Sequence, residues 1–264
     1  MGKAERRRPH RGRRRKKKKS NFIYNVILIA AIAVFCVSAF QLARIAKGYL
    51  SGRSEYKEVQ DLAVKGDKPE GGFRVDFEKL LEINPDTVAW IRFYPEPEII
   101  SYPVVQGEDN EKYLHQTFSD NENTMGAIFL DANASPVFTD KNTIIYGHRM
   151  KDGSMFRHLQ DYEDSEFWKE NPYFYIYTPD GYELTYHIYS AGVVNAVSDT
   201  YRTEFDTEED YQEFLDYTDG VSYYETGVEL DTDDTIVTLS TCTSNSDDNR
   251  FVVRGVLEKK AELE

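Results

Sequence analysis

The chain has 264 residues, with 32 Lys and Arg against 46 Asp and Glu, a formal net charge of −14, and only two cysteines. Two cysteines exclude a disulfide-stapled scaffold, and the length allows one sizeable core with an appendage. The charge is segregated: residues 1–20 carry 12 Lys/Arg and one Glu, leaving 20 basic and 45 acidic residues for the remainder, so the chain has two environments.

A basic tail (residues 1–21) precedes "FIYNVILIAAIAVFCVSAFQL", Phe22 to Leu42, 21 residues without a charge. At about 1.5 Å rise per residue this run spans roughly 30 Å, the thickness of a hydrocarbon core. A cleaved signal peptide is the other reading, with "VSA" (Val37 to Ala39) as its small-residue site. Such peptides have a shorter apolar region, about 7–15 residues, so an uncleaved single-pass anchor is expected. Only Arg44, Lys47 and Arg53 follow the run closely, which predicts a cytoplasmic N-terminus and an extracellular segment 43–264. Beside a membrane span, the basic tail fits anionic lipid headgroups and topology better than nucleic acid.

Residues 43–72 read as a juxtamembrane helix and linker ending in "KGDKPEGG", followed by one domain over 73–264. "VDFEKLLEINPDT" predicts a helix capped by Asp76, with Phe77, Leu80 and Leu81 on its buried face and Pro85 at its end. The period then falls towards two. Strands are expected at "VAWIRF", "IISYPVV", "AIFL", "NTIIYGH", "YFYIYT", "YELTYHIYSAGV", "TIVTLST" and "RFVVRGVL", with a hairpin turn at "TPDG". "DGSMFRHL" and "SEFWKEN" supply short helical pieces. "TEEDYQEFLDY" predicts a helix in which Thr207 caps, Asp210 answers three residues on, and Tyr211, Phe214 and Leu215 are buried. Eight strands with few helices point to a closed, mainly antiparallel barrel, since closure removes exposed edges.

Cys36 lies in the apolar run, so Cys242 is a lone thiol in the outer domain. It is either a buried structural cysteine or a reactive one. A thiol attacks carbonyls as thiolate and needs a proton acceptor, and an arginine can hold the oxyanion that results. His148 in "IIYGHRM" and Cys242 in "TLSTC" both stand where an apolar strand pattern runs out, and Arg250 opens the next pattern. Spacing alone leaves the bland readings open: a strand-end His as a structural hydrogen-bonder, and a solvated Arg. At ordinary pKa values a thiolate–imidazolium pair is about one per cent of its neutral form, so a site of this kind either shifts those values or works through the minor form.

"TLSTC" followed by a strand-opening Arg, with "YGH" upstream, resembles the sortases, membrane-anchored cysteine transpeptidases of Gram-positive bacteria. "WIRF", "YPVVQGEDNEKYL", "GAIFLD", "NTIIYGHRMKDGSMF" and the helix before the cysteine strand extend the likeness to class B over most of residues 76–257. The resemblance implies an eight-stranded sortase-type β-barrel behind N-terminal helices, with a helix inserted between the sixth and seventh strands. It implies Cys242 as nucleophile, His148 as general acid/base and Arg250 as the oxyanion holder. It also implies Asn110 and Leu114 near the substrate groove, for which strand-face parity makes Ser240 and Tyr146 further candidates. Ser240 and Tyr146 share strand faces with Cys242 and His148 by parity, and core packing is the other reading of Tyr146.

The partners implied are secreted proteins with an LPxTG-like sorting signal, of NPxTx or PPxTG type, and an amine acceptor from peptidoglycan or a pilin. No cofactor is expected, and no metal: CxxC and HExxH are lacking, and His10, His115, His148, His158 and His187 have no ligand spacing. Two rival readings remain at this level, a tethered module that binds sorting signals without turnover and a cysteine peptidase that releases product to water.

Overall fold

A computed structural model describes residues 20–66, 72–243 and 248–263. Most of the basic tail, and residues 67–71 of the expected linker, lie outside the described residues. The chain divides into two units, Met1–Lys47 and Gly48–Glu264. Helix α1 runs Ser20–Ala63 and is the one described helix long and apolar enough to cross a membrane. Its first portion exposes a sheath of large apolar side chains, from Phe22 through Leu42.

Within the second unit, the last turns of α1 pack on the domain core through Tyr56, Val59 and Ala63, whose i, i+3, i+7 spacing makes one helical stripe. A two-stranded ribbon, β1 (Val64–Lys65) with β2 (Arg74–Val75), leads into α2 (Phe77–Ile83). The Asp76 carboxylate accepts from Lys79 N–H at 3.4 Å and so caps α2. Leu80 is the buried anchor of this short helix. Leu81, expected on the buried face, is 39% exposed, because it lies about 100° round the helix from Leu80 and off the side by which Phe77 and Leu80 meet the core.

The barrel strands are β3 (Thr87–Phe93), β4 (Ser101–Val105), β5 (Ile128–Leu130), β6 (Asn142–Tyr146), β7 (Tyr173–Tyr177), β8 (Tyr182–Asn195), β9 (Ile236–Cys242) and β10 (Asn249–Glu262). They close in the order β10-β8-β7-β3-β4-β5-β6-β9. Pairings are antiparallel except β4–β5 and β6–β9, which are parallel. Short helices interleave: α3 (Lys112–His115), a 3-10 helix at Phe156–Glu163, α4 (Ser165–Glu170) and a 3-10 turn at Asp199–Tyr201. "TPDG" closes the β7–β8 hairpin, with Gly181 N–H donating to the Thr178 carbonyl at 3.0 Å.

Helix α5 (Glu208–Gly220) falls between the sixth and seventh barrel strands. Thr207 caps it by accepting from Asp210 N–H at 3.1 Å. The Asp210 carboxylate does not reciprocate to Thr207; it takes Arg202 at 2.6 Å and Asp206 N–H at 3.2 Å, because a guanidinium in reach is the stronger donor. Tyr211, Phe214 and Leu215 form, with Tyr189, Ile236 and Val256, a second apolar cluster between α5 and the outer face of the barrel.

Candidate active site

Cys242 is the last residue of β9, and Arg250 is its register partner across the antiparallel β9–β10 pair. On the other side of β9, Tyr146 is the partner of Ser240 in the parallel β6–β9 pair, and Gly147 N–H continues that ladder to the Ser240 carbonyl at 3.1 Å. Two residues on in each strand come His148 and Cys242. Alternation therefore sets His148, Cys242 and Arg250 in one row across three neighbouring strand ends, on one face. Tyr146, Ser240 and Val252 form the row behind it.

All seven residues singled out in the sequence line one cavity of about 400 Å³: Asn110, Leu114, Tyr146, His148, Ser240, Cys242 and Arg250. Cys242 is partly exposed there. His148 Nε2 lies 2.8 Å from the Leu114 carbonyl oxygen, so Leu114 serves the site through its backbone as well as through its side chain. Arg250 Nη1 donates to the Asn249 carbonyl at 3.0 Å, which bends the guanidinium along its own strand end.

Asp131, just after β5, organises the far wall. Its Oδ2 accepts from Asn110 Nδ2 at 2.8 Å and from the Tyr146 hydroxyl at 3.1 Å, while Asn110 Oδ1 accepts from Ala132 N–H at 2.8 Å. Both ends of the Asn110 amide are thus held, leaving one N–H of its NH₂ to face the cavity. Burial, and then the adjacent Asp131, hold the Tyr146 phenol well above its ordinary range, so it stays a neutral donor.

Two positions at the cavity are not singled out by the sequence. Tyr201, in the 3-10 turn, lines the cavity; its hydroxyl meets Ser240 Oγ at 2.9 Å and its ring stacks on Tyr146 with centroids 6.3 Å apart. Burial raises its phenol, against the hydrogen bond with Ser240 and the Arg250 and Arg254 cations. No periodic pattern flags a tyrosine in an irregular connection. The second is Gly126, at φ +61°, where an added Cβ would sit 2.7 Å from the Tyr113 carbonyl oxygen, 2.9 Å from His148 Cδ2 and 3.0 Å from the Leu114 oxygen. "TMGAIFL" holds that glycine in plain view, but the close approach of His148 is a tertiary fact.

A larger cavity of about 740 Å³, between the end of α1 and β4, contains none of these residues. Among the described residues no group of three or more His, Cys, Asp or Glu side chains is placed to hold a metal ion.

The family model described as Sortase domain matches residues 95–258, more than half of the chain. The chain belongs to the sortase family. It is 36% identical over 197 residues to Sortase B of Listeria monocytogenes, covering 72% of this chain and 77% of that protein. Among solved structures, sortase B from Bacillus anthracis matches with a TM-score of 0.70 at 30% identity, over 81% of this chain and all but 1% of that one (99%). A Staphylococcus aureus sortase B–substrate complex matches with a TM-score of 0.64 at 28% identity, over 86% and 99%. These likenesses and the closed barrel make this a class B sortase. Sortases are cell-envelope transpeptidases that take sorting-signal substrates and amine acceptors, and the N-terminal apolar helix of this sortase fits a membrane anchor.

Proposed function

We propose that this sortase cleaves a C-terminal sorting signal through a thioester on Cys242 and passes the acyl group to an amine of the cell wall or a pilin. The observation that carries the reading is the row of His148, Cys242 and Arg250 at adjacent strand ends of one cavity.

In the first half-reaction the Cys242 thiolate attacks the threonine carbonyl carbon of the signal, and the carbonyl oxygen takes up negative charge facing Arg250. The C–N bond breaks, and the departing amine takes a proton from the His148 imidazolium. In the second, the acceptor amine gives a proton to the imidazole and attacks the thioester; the C–S bond breaks and the thiolate returns. A carbonyl oxygen only accepts, so the 2.8 Å contact with Leu114 requires a proton on His148 Nε2. Nδ1 is therefore the nitrogen that exchanges protons with substrate. Asn110, the Leu114 side chain, Tyr146, Ser240 and Tyr201 wall the space for the residues ahead of the scissile bond, an NPxTx or PPxTG type of pentapeptide.

The same reading puts residues 1–21 in the cytoplasm and 22–42 across the bilayer. Residues 43–72 then lead from the span into the catalytic domain, 73–264, with the end of α1 packed in that domain's own unit, on the outer face beside substrates that are themselves membrane-held.

The test is intact mass spectrometry of the detergent-solubilised full-length chain with a pool of sorting-signal peptides, beside Cys242→Ala. A peptide-sized adduct on the wild type alone, discharged to a ligated product by added triglycine, is the expected result. Discharge that gives only hydrolysed peptide would favour a cysteine peptidase, and no adduct on a thiol that still alkylates would favour a tethered binding module.

A further inference from the structure

The reaction above makes no use of Arg254, a cation with 0% exposure. It lies four residues along β10 from Arg250 on the same strand face, and its register partner on β9 is Thr238, as Arg250's is Cys242. Its hydrogen-bond partners are neutral. Nη1 donates to Ser190 Oγ at 3.1 Å and to the Thr218 carbonyl at 3.4 Å, and Nη2 donates to Thr200 Oγ1 at 3.0 Å. Nε has no partner among the described residues. A buried guanidinium held by hydroxyls and a carbonyl is costly, and an apolar side chain of similar volume would generally serve stability better. What it fastens is therefore the informative point.

Those acceptors come from three separate elements. Ser190 belongs to β8, Thr218 to α5, and Thr200 to the 3-10 turn. Thr200 is itself fully buried and held from two more sides: Tyr217 of α5 meets its hydroxyl at 3.4 Å, and Asn142 Nδ2 of β6 donates to its carbonyl at 3.2 Å. The next residue is Tyr201, whose hydroxyl is on Ser240 and whose ring stacks on Tyr146 inside the cavity.

We propose that Arg254 is a positioning residue: by fastening Thr200 to both α5 and the barrel it fixes Tyr201 as a wall of the acyl cavity, so that the inserted helix is tied to binding of the sorting signal. This rests on the catalytic reading of that cavity. The planar fork is what three acceptors in three directions require, and a lysine ammonium on a flexible stem cannot reproduce it.

The experiment is a double-mutant cycle on the full-length chain, reading kcat and KM with a sorting-signal peptide. Arg254→Met is expected to raise KM by about tenfold with kcat within about twofold, a coupling of ordinary size for residues joined through one neighbour. In a Tyr201→Ala background the same change is expected to alter KM by less than about twofold. Arg254→Lys is expected to behave like Arg254→Met. Thr200→Val, which keeps the shape and removes the acceptor, carries the same cycle should Arg254→Met fold poorly. An equal KM loss in both backgrounds, full rescue by lysine, or a Tyr201→Ala chain with unchanged KM would each overturn the proposal. Adduct formation on Cys242 separates the two readings: an adduct with an additive cycle removes Arg254's role alone, and no adduct in the wild type removes both.

Discussion

Cys242 and Arg250 stand directly opposite each other in the β9–β10 ladder, one closing a strand and the other opening the next. Opposed side chains in an antiparallel pair have Cβ atoms about 4.5–5.5 Å apart, and the ladder fixes that spacing however the intervening loop is arranged. The residue proposed as nucleophile and the cation proposed to meet the oxyanion are thus positioned by backbone hydrogen bonds.

Arg250→Lys keeps the charge and loses the fork. The expected outcome is a fall in kcat of about 10²–10³-fold, the size of losing one oxyanion donor, with a small change in KM. Since Arg250 is only partly buried, the thermal midpoint is expected to move by no more than a few degrees. Steady-state kinetics with a fluorogenic signal peptide decides it; wild-type kcat in the lysine variant would reduce Arg250 to a point charge.

Gly126→Ala tests the cradle of His148. The backbone conformation at φ +61° costs a non-glycine residue about 1–3 kcal/mol, and the new Cβ meets two backbone oxygens and the imidazole. Gly181, at φ +88° with nothing within 4 Å, is the reference: Gly181→Ala carries the backbone strain without the clash. Urea unfolding should rank Gly126→Ala well below Gly181→Ala in stability, and only the former should lose transpeptidation. Equal stability and activity in the two variants would remove His148 from the argument about Gly126.

The bond from His148 to Leu114 fixes a tautomer. Proton–nitrogen NMR of the imidazole at a pH where it is neutral should show the proton on Nε2. Leu114→Ala, which leaves the carbonyl in place, should keep that tautomer while weakening peptide binding. A neutral ring protonated on Nδ1 would transfer the proton-exchange role to Nε2 and reverse the ring orientation proposed for catalysis.

Buried phenols set an alkaline limit on stability. Burial raises the pKa of Tyr146, Tyr177, Tyr186 and Tyr211, and it pushes Tyr189 up to about 12. Above the unfolded value of about 10 the unfolded chain releases these protons and the folded one keeps them. Stability is therefore complete below pH about 10 and is lost as pH climbs from there towards the folded values. Urea midpoints at pH 8, 10 and 11, read beside tyrosinate absorbance, should fall together with late phenol titration. A midpoint unchanged to pH 11 would contradict the burial of these rings.

Much of this was legible in the chain itself. Short runs rich in Val, Ile, Tyr and Phe between turn signals marked the barrel strands; β5 and β9 are buried almost throughout, so composition and turn signals carried them rather than alternation. "TPDG" marked a turn, and Thr207 marked the start of α5. Leu81 was misread because helical periodicity says which side chains share a face and not how wide a face the core will cover. Asp210 was misread because a capping partner was assigned by spacing while an arginine from the preceding loop competes for the same carboxylate.

Sequence alone determined the residue types of the chemistry, the strand pattern that carries them and the segregated charge around an apolar run. Only the tertiary structure decided which of them meet. His148 and Cys242 are 94 positions apart and become neighbours through a parallel β6–β9 pairing, a non-local contact that local pattern does not encode. Arg254 reads in the sequence as one more charged residue in a strand; it is enclosed where β8, α5 and the 3-10 turn supply Ser190, Thr218 and Thr200, and the next residue of that turn, Tyr201, meets Ser240. Backbone preference and apolar alternation act over a few residues, whereas packing is settled by chain closure, and the site is made where closed strands end.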